Sequence, residues 1–257
     1  MGSPSFEIPR IVDRDKNLKT ALSTETRREQ LRKKNVHNLI TAILFLLSRW
    51  AYLFVALFIA QLGVLNYQHY GVISLFVAGA LLSVATVLFF ALIERASLGF
   101  KQLTPQVVSI YERYFWMHER HWKLSDSPMV QLFRGTPFKN MVSRLVGMKI
   151  GRKVYDDGCI TTERTLIEIG DYVNLNEASV MQPHSLEEGV FKSDSIQIGI
   201  GCTLGVGAFV HYGVTMNDHA VLDADSFLMK GEVLDPHSVW RGNPARPICH
   251  SQTQEGA

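Results

Sequence analysis

The chain has 257 residues, 26 of them lysine or arginine against 24 aspartate or glutamate, with 47% hydrophobic and 19% charged. A formal net charge of +2 with no basic stripe apart from one membrane-type flank gives no case for nucleic acid as a partner. Cys159, Cys202 and Cys249 show neither C-x-x-C spacing nor a paired framework, which fits a reducing compartment.

Residues 1–37 read as a basic segment, in which "RREQLRKKNVHN" sets Arg27, Arg28, Arg32, Lys33 and Lys34 just before an apolar run. Two such runs follow, 39–65 with Arg49 as its only charge and 71–93 with none. Each exceeds the ~20 residues a helix needs to cross a bilayer, and a chain of this size could not surround two core helices of that length. The pattern predicts a transmembrane helical hairpin over 38–94. The connector "NYQHY" carries no lysine or arginine, so the positive-inside rule puts both ends of the hairpin in the cytoplasm, at the inner membrane. Arg49, about ten residues in, is expected to snorkel toward the cytoplasmic interface beside Trp50.

Residues 95–148 read as juxtamembrane amphipathic helices. Thr104-Pro105 has the form of a helix start, and "QVVSIYERYFWMHERHWKL" has the aromatic and basic make-up of a helix at a membrane surface. His118 and His121 would share a face of it, but no third ligand accompanies them and no metal site is expected. "SDSP" and "RGTP" break the helix, and "FKNMVSRLVGMKIG" predicts a short amphipathic one leading into the next domain.

From 149 to 248 the period changes to six. Aliphatic residues stand at Ile169, Leu175 and Met181, then at Ile198, Leu204, Val210, Met216, Leu222, Leu228 and Leu234, with Trp240 closing the series. Four places after most of them comes a small or β-branched residue, as at Val173, Ser179, Cys202, Ala208 and Ala220. Six is neither a helix period nor, with so many glycines and aspartates, one long strand; it is the repeat of a parallel β-helix, three strands and corners to each coil. The glycines directly after the aliphatic residue (Gly170, Gly199, Gly205) are expected to supply unusual backbone angles at the bends. Met181 to Ile198 is a step of 17 where two repeats would take 12, so five extra residues are expected to bulge there as a loop. Residues 249–257 read as a disordered tail.

The hexads together with "WRGNPARPI" resemble the left-handed β-helix of hexapeptide-repeat acyltransferases. "FRGTPFKN", "DDGCITTERTL", "HSLEEGVFKSD", "GVGAFVHYG", "DSFLMKGE" and "WRGNPAR", with "FEIPRIVDRD" and "KNVHNLITAILFLLSRW" upstream, resemble the terminal domain of membrane-bound nonribosomal peptide synthetases of the ε-poly-lysine synthetase type. The resemblance implies transfer of an aminoacyl or acyl group from a carrier-held thioester to an amine, forming an amide or isopeptide bond. It further implies an adenylation and carrier domain or protein as partner, whose phosphopantetheine holds the donor, no cofactor bound directly, and a second β-helix domain nearby. A non-catalytic scaffold docking synthetase domains in the membrane is the reading from another class. Zinc hydration of the γ-carbonic-anhydrase kind lacks its ligand set, since the position five before His211 is Val206.

The expansion after Met181 holds His184, Ser185, Glu187, Glu188, Lys192 and Asp194. Amide formation from a thioester needs a base, and His184 is the candidate. Glu187, Glu188 or Asp194 would orient its imidazole, and the spacing does not choose among them. His211, directly after an interior position, would point outward into the same cleft. Asp156 and Asp157, with Glu163 and Arg164, would hold a cationic amino-acid substrate or cap the entrance of the coil. Cys159 reads as a buried structural cysteine.

Overall fold

The computed structural model describes residues 24–125, 133–187 and 189–248; Glu188, most of "SDSP", "FEIPRIVDRD", Cys249 and the expected tail lie outside the described residues. The chain divides into a helical unit, Ala21–Lys101 with Ser109–Leu132, and a β unit built from Gln102–Val108 and Phe133–Ala257.

In the helical unit, α1 (Thr24–Leu65), α2 (Tyr67–Tyr70) and α3 (Val72–Ser97) follow one another, and α1 and α3 are both long and apolar enough to cross a membrane. The 42 residues of α1 span about 63 Å, twice the ~30 Å hydrocarbon thickness, so its charged first turns extend the helix beyond the apolar run. Trp50, Phe54, Phe58 and Phe76 are exposed on these helices. A Cβ on Gly63 would lie 2.7 Å from that of Ala78, so glycine here permits the close approach of the two helices. Tyr52 and Thr86 share a hydroxyl hydrogen bond of 3.0 Å, and Arg49 lies 4.9 Å over the rings of Phe45 and Phe90.

The helix expected from Thr104-Pro105 does not start there. Gln106–Ser109 is a strand, because the β-branched pair Val107-Val108 finds a partner in Val190–Ser193 and the Gln106 amide donates to Ser193 Oγ at 3.2 Å. Helix α4 begins only at Arg113 and ends at Leu124. It packs on α1 and α3 with Phe115, Trp116, His118, His121 and Leu124 buried. Thr136-Pro137 does open a helix, α5 (Pro137–Leu145).

The β unit is a coil of three parallel sheets. Gln197 pairs with Thr215, Thr203 with Val221, Phe209 with Phe227, Thr215 with Val233 and Val221 with Val239, so after the insertion each of these strands meets the one three hexads further on. Each turn of the coil is therefore three hexads. The aliphatic positions point inward: Leu175, Met181, Leu204, Val210, Leu222, Leu228 and Leu234 are fully buried, and Trp240 packs partly buried against the same core. Asp223, next to Leu222, faces out and pairs with Arg241.

Two expectations about the coil are corrected. Gly170, Gly199 and Gly205 do not carry the left-handed backbone; that falls three places after every aliphatic residue of the series but Met181, at Tyr172, Ala178, Gly201, Gly207, Gly213, His219, Asp225, Gly231 and His237. Glycine directly after the aliphatic residue serves close approach instead, since a Cβ on Gly205 would sit 2.4 Å from the Ala224 amide nitrogen of the next coil. The insertion is also larger than five. Across it residues pair 29 apart (Ile169 with Ile198, Met181 with Val210), so Met181 and Ile198 lie on consecutive faces and eleven residues are extra. They form an antiparallel hairpin, His184–Glu187 with Val190–Ser193, extended by Gln106–Ser109 into a three-stranded sheet.

Candidate functional site

The hairpin leaves the coil after Pro183 and returns at Asp194, whose amide donates to the Pro183 carbonyl at 3.1 Å. Alternation along the strand divides its side chains between two faces. His184 shares one face with Phe191, their rings stacked with centroids 5.8 Å apart, while Ser185 and Lys192 stand opposite each other on the other.

His184 Nδ1 lies 2.8 Å from Glu163 Oε2. The Glu163 side chain is fully buried and that of His184 is 15% exposed. Thr162 Oγ1 donates to the same Glu163 oxygen at 2.6 Å. The carboxylate on the imidazole is therefore Glu163, at the head of the coil, and not Glu187 or Asp194; Glu188 lies outside the described residues. Glu187 instead accepts from Lys230 at 2.8 Å and from Lys192 at 3.2 Å. Asp194 Oδ1 accepts the amide of Ser195 at 2.9 Å.

His211 stands in register with Gln182, the last residue of the strand before the hairpin. Its Nδ1 accepts the amide of Tyr212 at 3.0 Å. Burial, and then the Lys230 ammonium, push its pKa down to about 4, opposed by the Gln182 carbonyl and the Glu187 carboxylate. His211 is therefore a neutral imidazole near pH 7, within electrostatic reach of Glu187, Lys230 and His184.

The acidic residues expected to hold a substrate separate. Asp156 is 5% exposed and pairs with the buried Lys139 of α5 at 2.6 Å, while its Oδ1 also accepts the amides of Gly158 and Cys159. That carboxylate is a capping lock between α5 and the first coil, not a surface for substrate. Asp157 is half-buried and its carbonyl accepts from Arg134, and Arg164 opens a 3-10 turn, Arg164–Leu166. Cys159 is buried, which pushes its thiol up to about 12 and leaves no thiolate to react. In the helical unit His121 Nδ1 and Ser97 Oγ are 2.8 Å apart, and among the described residues no cluster of three or more His, Cys, Asp or Glu is arranged to hold a metal ion.

Lys230 and Lys139 were not among the residues singled out from the sequence. Lys230 stands one full coil, three hexads, after Tyr212, so the length of a coil is the signal that would have found it.

No family model matches the chain. The likeness to poly-amino-acid synthetases carried by the sequence motifs is shown by a curated relative, the Delta-poly-L-ornithine synthetase of Acinetobacter baumannii (strain AB307-0294), 30% identical over 184 residues. The match takes in 70% of this chain and 14% of that protein, so the chain spans about a seventh of the relative's length. Among solved structures, a maltose O-acetyltransferase from Clostridium difficile 630 is 18% identical with a TM-score of 0.39, covering 61% of this chain and 95% of that one. A hexapeptide-repeat acetyltransferase from Vibrio cholerae is 15% identical with a TM-score of 0.37, covering 46% of this chain and 85% of the other.

Proposed function

We propose that the chain is a membrane-anchored acyltransferase module that moves an aminoacyl or acyl group from a carrier-held thioester to an amine, forming an amide or isopeptide bond. The observation that carries this reading is the dyad of His184 and the buried Glu163, 2.8 Å apart. With Glu163 ionised, Nδ1 carries the imidazole hydrogen and Nε2 is left as the base. The acceptor nitrogen attacks the thioester carbonyl carbon; the C–N bond forms, the C–S bond breaks, His184 takes the proton from nitrogen and returns it to the departing sulfur. A thioester is already activated, so orienting the two reactants and managing one proton suffices. His211, neutral near pH 7, adds a second polar group beside the dyad without a competing positive charge.

The reading extends to partners and place. The donor is the phosphopantetheine thioester of a partner adenylation and carrier protein or domain, and the name of the curated relative supports a basic amino acid as the unit joined. A second β-helix domain, a copy or a homologue, belongs to the assembly. The coil winds left-handed, as the closing "WRGNPAR" supports, and lies on the cytoplasmic side of the inner membrane, the orientation set by the basic flank of the hairpin.

The test is acyl transfer by the full chain, supplied with a loaded carrier protein, with and without His184→Ala. Loss of one general base should cost roughly 10² to 10⁴ in rate, with the fold retained. Wild-type turnover in the variant would leave the chain as a scaffold rather than a catalyst.

A further inference from the structure

Two lysines converge on one carboxylate on the face of the hairpin opposite His184. Lys230 Nζ lies 2.8 Å from both oxygens of Glu187, and Lys192 Nζ lies 3.2 Å from one of them. The lysine side chains are nearly buried, 13% and 11% exposed, whereas Glu187, near the tip of the hairpin, is 40% exposed. Ser185, Glu187 and Lys192 belong to one face of the hairpin, and Lys230 links that face to Tyr212, its ammonium 5.8 Å from the ring centroid. Ser185 and Tyr212 are 5% and 2% exposed, and among the described residues neither side-chain hydroxyl has a hydrogen-bond partner. A buried hydroxyl left without a partner costs free energy, and two of them next to a pair of ammonium groups mark a place where a ligand completes the set.

We propose that Lys192 and Lys230 are the seat of the acceptor's carboxylate, which displaces the carboxylate of Glu187, so that the acceptor is an amino acid or the carboxyl end of a peptide. The proposal rests on the transfer to an amine inferred above. Paired ammonium groups bracket both oxygens of a carboxylate whether it belongs to the chain or to a ligand. Glu187 is the member of the trio with a free path to solvent, because it sits at the hairpin tip while the lysines are held beneath. The hydroxyls of Ser185 and Tyr212 then donate to ligand oxygens.

The experiment is equilibrium binding of L-ornithine and of 1,4-diaminobutane, the same diamine without the carboxylate, to the full chain in detergent. Wild type should bind ornithine about tenfold or more tighter than the diamine, the scale of one charge-assisted contact. Lys230→Met should erase the preference and Lys230→Arg should keep most of it. Glu187→Gln should tighten ornithine binding, because it removes the competing anion. Equal binding of the two ligands by wild type, or weaker ornithine binding in Glu187→Gln, would mean that Glu187 merely pins the hairpin and would overturn the proposal. Acyl transfer measured on the same preparations separates the two readings. No transfer with the ornithine preference intact defeats the transferase reading and keeps the site; transfer without the preference defeats the site alone.

Discussion

At the scale of single residues, His211 ties stability to pH. Its folded pKa of about 4 lies below the ~6.5 of an unfolded chain, so the native state favours the neutral ring. The contribution is fully present above about pH 6.5 and is lost as pH falls toward 4, on the order of 3 kcal/mol across that window. His211→Gln cannot be protonated, so the midpoint of its urea unfolding should fall less between pH 6.5 and 4.5 than that of wild type; an equal fall would contradict the assignment. His184 and His211 were legible in the sequence as candidates, one in the expansion and one beside an interior position. Glu163 as the partner of His184 was not. The two are separated along the chain by a little over one coil, and their contact exists only once successive coils have stacked. Spacing left Glu187, Glu188 and Asp194 as equal candidates, and of these Glu187 is held instead by Lys192 and Lys230.

At the scale of the elements, the coil separates two uses of one residue type. Gly205 has an ordinary backbone, yet a Cβ there would lie 2.4 Å from the backbone of the next coil. Ala178 has φ of 57° and is exposed. Gly205→Ala should therefore cost about 1–3 kcal/mol through overpacking. Ala178→Gly should be nearly neutral, since relief of about 1 kcal/mol of left-handed strain is offset by glycine's loss of freedom on folding. Thermal unfolding of the two variants checks this, and equal effects would show that the register is wrong. The inward register was readable because aliphatic residues mark it every six places. The left-handed positions escaped because glycine, tyrosine, alanine, histidine and aspartate all occupy them. The size of the insertion escaped for a related reason: hexad spacing counts repeats but does not say which face a repeat occupies. Gln106–Ser109 was misread since its strand partner lies in that insertion, far along the chain.

For the whole molecule, the proposed topology makes a direct prediction. In a Cys249→Ser background, cysteine in place of Gln68, between the two long helices, should react with an impermeant thiol reagent in intact cells. Cysteine in place of the exposed Glu168 on the coil should react only after lysis. The opposite pattern would put the coil outside. Anchor, coil and hairpin serve the account only if the His184–Glu163 pair performs the chemistry as a unit. The measurement that tests this most directly is acyl transfer from a loaded carrier by His184→Ala, Glu163→Gln and the double variant. Each single change should lower the rate, and Glu163→Gln should cost nothing further once His184 is gone. Independent losses that multiply in the double variant, or full turnover without His184, would contradict the account.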